Sequence, residues 1–109
     1  MTNYQPGDLV LIAFPFTTGT QTKSRPAMVV LDAGDADILV ARVTTQSGQD
    51  DHDVLLHGWK DAGLLAPSTV RLHKLATLEK ALVQRRLGRV QSEDRAAISA
   101  TMRRTYGTW

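Results

Sequence analysis

Gln21-Thr-Lys-Ser-Arg-Pro-Ala-Met-Val-Val-Leu31 runs from polar residues straight into an apolar strand, with Arg25-Pro26 at the junction. Proline fixes its own φ and pushes the residue before it towards extended geometry. This stretch therefore predicts a loop over residues 17–24 and a strand over Ala27–Leu31, with Arg25 held at the strand's mouth. Loops carried on rigid strands are where binding and catalytic side chains concentrate, so Arg25 is the first candidate for a functional residue.

Outward from this stretch the pattern repeats. Gly7-Asp8 is a turn signal, and Leu9-Val-Leu-Ile-Ala-Phe14 after it reads as a buried strand ended by Pro15. Asp32–Asp37 turns the chain into a third strand, Ile38–Thr44, and Thr45–Asp50 leaves it. Antiparallel pairing of these three is the expectation. Asp53–Leu56 and Ser68–Leu72 read as further strands. In the latter, Thr69, Arg71 and His73 share one face and Val70 and Leu72 the other. From Lys74 to Arg86 local pattern leaves two readings open. Leu75, Leu78 and Leu82 fit helical spacing, while the short apolar clusters fit strand. Ser92 is a candidate helix N-cap, with Glu93-Asp94 in the first turn and Ile98, Met102 and Tyr106 in a stripe. The expected architecture is mainly β: a small barrel of five or six short strands with a C-terminal helix packed on it, in one domain spanning 1–109.

Bulk composition narrows the function. A chain of 109 residues that is 42% hydrophobic suits one ordinary globular core. With no cysteine, a disulfide framework and a thiolate metal site are excluded. The longest apolar run, Leu9–Phe16, is far short of the roughly 20 residues a membrane span needs, and the N-terminus lacks the pattern of a signal peptide. A cytoplasmic protein is expected. Charge is uneven: residues 1–61 carry four Lys/Arg against eight Asp/Glu, and residues 62–109 nine against three. A basic half points to phosphate-bearing partners. Asp50-Asp51-His52-Asp53 could be read as metal ligands, but consecutive acids on a loop are usually solvated, so no metal and no cofactor is expected.

Gly7-Asp8 before an apolar strand, Arg25-Pro26-Ala27 opening the second and Thr44-Thr45-Gln46-Ser47 closing the third together resemble the MazF/PemK family of bacterial toxins. The likeness continues more loosely through Gly63-Leu64, Pro67–Arg71, Lys74–Leu78 and Leu87-Gly88. The resemblance implies an SH3-like barrel, strand rather than helix over most of Lys74–Val83, and a homodimer. It implies a metal-independent endoribonuclease that cuts single-stranded mRNA at short sequences and is inhibited by a cognate antitoxin. Carried onto this chain, Arg25 and Thr44 are the catalytic residues implied. Lys23, Thr45, Gln46, Ser47, Phe16, Arg71 and His73 are the candidate substrate contacts. The acidic residues Asp50, Asp51 and Asp53 would repel a phosphate backbone if they faced the groove. Two alternatives stand beside this reading: an inactive nucleic-acid-binding module of the same fold, and a toxin that binds gyrase.

Overall fold

The computed structural model describes residues 3–15, 22–46, 50–107 and 109. Strands β1 (Asp8–Pro15), β2 (Thr22–Leu31), β3 (Asp37–Thr44), β4 (Asp53–Leu55), β5 (Thr69–Glu79) and β6 (Val83–Arg89) form one antiparallel sheet. Their spatial order is β4-β5-β3-β2-β1-β6. A 3-10 turn at Lys80–Leu82 joins β5 to β6, and helix α1 (Ser92–Tyr106) ends the fold. Among the described residues β4 and β6 are unpaired edges, so the barrel stays open along that seam. No helix among the described residues is long and apolar enough to cross a membrane.

Both faces of the sheet are buried, which explains the near-continuous apolar strands. Leu9, Met28, Ala41, Val43, Val70 and Leu72 form one core with Leu56, Leu64 and Ile98 of α1. Val10, Ile12, Ala27, Val29, Ile38 and Val40 form the other, and Leu78, Leu82 and Val83 from the β5–β6 corner fold over it. Ile12 and Leu72 are fully inaccessible, and each such burial contributes roughly 1.5–3 kcal/mol.

This two-sided burial also resolves the ambiguous stretch in favour of strand. Side chains an odd number apart on a strand leave from opposite faces. Leu78 enters the second core, while Leu75 lies beside Leu39, Met102 and Tyr106 on the other side. Helix-like spacing here records alternate use of two faces. A bulge adds to the effect: Ala41 stands opposite Leu75 but Arg42 opposite Arg71, leaving Leu72, His73 and Lys74 as extra residues on β5. Val70 before the bulge and Leu72 at its start belong to the first core, whereas Ala76 and Leu78 after it face the second.

Two local expectations are corrected. Thr22–Ser24 is strand rather than loop, so Arg25 sits inside β2 opposite Ile12 rather than at its mouth, and Pro26 lies opposite Leu11. Pairing of β2 with β3 begins only at Ala27 opposite Arg42. Proline is tolerated in such an edge-like segment, where a missing N–H breaks no ladder on the open side. The helix N-cap is Gln91, not Ser92, and it makes no side-chain cap. The first-turn carboxylate of Asp94 is instead buried, accepting the backbone N–H groups of His57 at 3.0 Å and Gly58 at 2.8 Å. It ties the 57–58 loop to the helix.

Asp32 fastens the second core. Its inaccessible carboxylate accepts from the Tyr4 N–H at 2.7 Å, the Gly34 N–H at 2.9 Å and Lys80 Nζ at 2.9 Å. The Tyr4 amide, then Lys80 and Gly34, hold its carboxyl at about 2, below the ordinary value of 3.8. A lowered folded-state pKa adds stability above the ordinary value and loses it as pH falls through the folded one. Asp32→Asn is therefore expected to lower the thermal midpoint at pH 7. Its gap from wild type should narrow as pH drops from about 4 to about 2, which thermal melts across that range would read.

Candidate functional site

Cross-strand register defines a single face. Residues directly opposite on antiparallel strands share a face, as do residues two apart on one strand. Ile12 faces Arg25, Ala27 faces Arg42, and Arg42 and Thr44 face Arg71 and Thr69. Lys23, Arg25, Arg42, Thr44 and Arg71 therefore all project from the side that carries the second core. Apolar residues fill the half of this face covered by the β5–β6 corner. The open half is cationic, with Lys23, Arg25 and Arg42 exposed.

Thr44 is prepared as a donor. Its Oγ1 accepts the Gln46 backbone N–H at 3.2 Å, a local hydroxyl–backbone turn. A hydroxyl has one proton and two lone pairs, so that contact leaves its proton for a ligand. Thr45 and Gln46 are exposed just beyond β3. Phe16 and Ser47 lie outside the described residues.

Arg71 and His73 lie at the β4 side of the face, among carboxylates. Arg71 Nε is 3.2 Å from Asp53 Oδ1, and its guanidinium is 3.6 Å from Asp50 Oδ2. His73 Nε2 is 3.5 Å from Asp50, while Nδ1 lies 3.9 Å from Asp53 and is buried without a hydrogen-bond partner. The Asp50 carboxyl is held below its ordinary range by the His52 N–H and then by the positive potential of His73, His52 and Arg71, against partial desolvation. Asp50, Asp53 and His73 bring one ligand atom each within 4.8 Å of the others. The single Arg71 guanidinium sits against both carboxylates and offsets one of their two charges, which weakens the pull of the group on a hard cation. The two acids thus turn onto Arg71 and His73. The loop bearing them is pinned to α1, through His52 Nδ1 and Thr105 Oγ1 at 2.8 Å and the Arg104 guanidinium on the Asp51 carbonyl at 2.9 Å.

Sequence reasoning placed Arg25 and Thr44, and the register brings them to the same face. It missed Arg42. The available signal was a lone charge in the third strand, Ile38-Leu-Val-Ala-Arg-Val-Thr44, at a position sharing parity with Thr44.

No curated protein matches the sequence. Among solved structures, an endoribonuclease from a mycobacterial species aligns with a TM-score of 0.77 at 18% identity, covering 100% of this chain and 97% of that one. The Mycobacterium tuberculosis toxin MazF-mt6 aligns at 0.75 and 17% identity, covering 96% and 100%. A MazE–MazF structure from Deinococcus radiodurans aligns at 0.77 and 17%, covering 99% and 100%. These likenesses establish the shared fold. The family described as PemK-like, MazF-like toxin of type II toxin–antitoxin system matches residues 5–106. By that match, across nearly all of its length, the chain belongs to the PemK-like, MazF-like toxins of type II toxin–antitoxin systems.

Proposed function

We propose that this toxin is a metal-independent endoribonuclease that cuts single-stranded mRNA at selected sequences in the cytoplasm. The observation that carries the reading is the shared open face of Arg25 and Thr44, set by the β1–β2–β3 register. The ribose 2′-OH attacks the adjacent phosphorus and the 5′-oxygen leaves, giving a 2′,3′-cyclic phosphate and a 5′-hydroxyl. Charge builds on the non-bridging oxygens, where preorganised donors lower the barrier. Arg25 supplies a planar, permanently charged fork able to bond two of those oxygens. Thr44 adds its free hydroxyl proton. Lys23, Thr45 and Gln46 line the approach, with Arg71 and His73 flanking it.

A homodimer and an antitoxin complete the proposal. Val30, Leu39, Leu75, Met102 and Tyr106 form an apolar groove beside α1, and Leu31 is 52% exposed next to it. A contiguous apolar patch of this kind suits a subunit interface. The antitoxin would lay an acidic, apolar tail over the cationic face. A structure with this fold from Deinococcus radiodurans was solved as MazE–MazF, and one from a mycobacterial species in complex with its cognate antitoxin. Induced expression in a bacterial host tests the reading. Growth arrest with fragmented mRNA is expected. Arrest with intact mRNA and trapped DNA breaks would instead select a gyrase-binding toxin.

A further inference from the structure

We propose that Arg42 holds the RNA phosphate next to the one bound by Arg25, and that Asp50 and Asp53 end the phosphate path at Arg71. The inference rests on the ribonuclease reading and extends it to how the substrate lies.

Arg42 is a costly residue where it stands. It lies mid-strand between Ala41 and Val43, which are 0% and 3% exposed, and follows Val40 at 1% on its own face. Directly opposite on β5 is Arg71. Like charges facing each other across a strand pair destabilise a sheet. Arg71 is relieved by Asp53, its partner on the β4 side, and by Asp50. Arg42 has no carboxylate partner among the described residues. An exposed guanidinium with a like charge beside it and no counter-ion is a site for an anion.

The position of Arg42 identifies that anion. It stands opposite Ala27, two residues along β2 from Arg25. Strand rise and spacing separate the two arginine backbones by roughly 8 Å, about one nucleotide of extended chain. Thr44, two residues from Arg42 on β3, lies level with Arg25 by the same antiparallel register and stands beside it. Lys23 prolongs the line from Arg42 beyond Arg25, opposite Phe14. At Arg71 the row stops attracting phosphate, because two carboxylates already hold that guanidinium.

The test is binding of a mixed-sequence 2′-O-methyl RNA, which lacks the attacking hydroxyl, measured by fluorescence anisotropy from low to high salt. For single strands the log-affinity against log-salt slope changes by about 0.7 per phosphate contact. Arg42→Ala is expected to flatten the slope by about 0.7 and weaken binding, and in cleavage assays to raise KM with little change in kcat. Its thermal midpoint should equal or exceed that of wild type, since a like-charge pair is removed; a purely structural arginine would lower it. Asp50→Asn keeps the acceptor for the His52 N–H and removes one of the two carboxylate charges at Arg71, leaving the Asp53 pair, so it should steepen the slope and tighten binding. Wild-type slope and affinity in Arg42→Ala would overturn the inference while leaving the ribonuclease reading in place. Failure of the wild-type protein to bind RNA would overturn both.

Discussion

Arg25→Ala is expected to lower kcat for RNA cleavage by about 10²–10³-fold, the usual effect of removing one preorganised donor to transition-state charge. The variant should fold as well as wild type. Arg25 is exposed and forms no ion pair among the described residues, so its loss leaves no buried charge behind. An unchanged thermal midpoint together with collapsed turnover is the signature. Arg25→Lys keeps the charge but gives up the planar fork, and should recover only part of the rate. Thr44→Val deletes one neutral donor, for a cost of about 1.5 kcal/mol or roughly tenfold. The effects of the two single changes should not add, because both donors serve one phosphate. Single-turnover cleavage of a saturating RNA would measure all of these; wild-type turnover in Arg25→Ala would remove this residue from the site.

Gly63→Ala should be the most damaging small change to stability. Gly63 has φ +93°, and a Cβ there would collide with the Leu87 carbonyl oxygen. The contact is reciprocal, since a Cβ on Gly88 would collide with the Ala62 carbonyl oxygen. Two backbones thus meet where the loop bearing Ala62 and Leu64, both in the first core, crosses β6. Neither backbone can yield without dragging β6 or the core-bound loop. A loss of about 3 kcal/mol or more is expected, which for a chain of this size means a fall in midpoint of roughly 12 °C or more. Gly34 provides the control. It has φ +91° with nothing within 4 Å of the added carbon, so Gly34→Ala carries backbone strain alone, about 1 kcal/mol. Equal losses in the two variants would refute the collision.

What could be read from the sequence was what neighbours along the chain decide. Gly7-Asp8 marks where the first strand opens, Arg25-Pro26-Ala27 falls within the second, Thr44-Thr45-Gln46 marks where the third ends, and the stripe of Ile98, Met102 and Tyr106 marks the helix; Arg25 and Thr44 are the site residues proposed from those motifs. What could not be read depends on pairing. Arg42 acquires meaning only when Ala27 and Arg71 are known to lie opposite it. The extra residues Leu72–Lys74 invert strand parity, a shift no local pattern reports. Polar Thr22–Ser24 looked like loop because composition does not reveal that β1 pairs with it. Asp94 looked like ordinary first-turn charge, yet its partners are backbone amides distant in sequence. The acidic run at Asp50–Asp53 had an ambiguous direction until Arg71 and His73 were found beside it.

The most direct test of the central claim is incubation of purified protein with a long, weakly structured RNA in EDTA, beside Arg25→Ala, with the ends of any product characterised. The account predicts fragments bearing 5′-hydroxyl and 2′,3′-cyclic phosphate ends from wild type and none from the variant. Fragments with 5′-phosphate ends, cleavage that requires a metal, or equal cleavage by Arg25→Ala would contradict it.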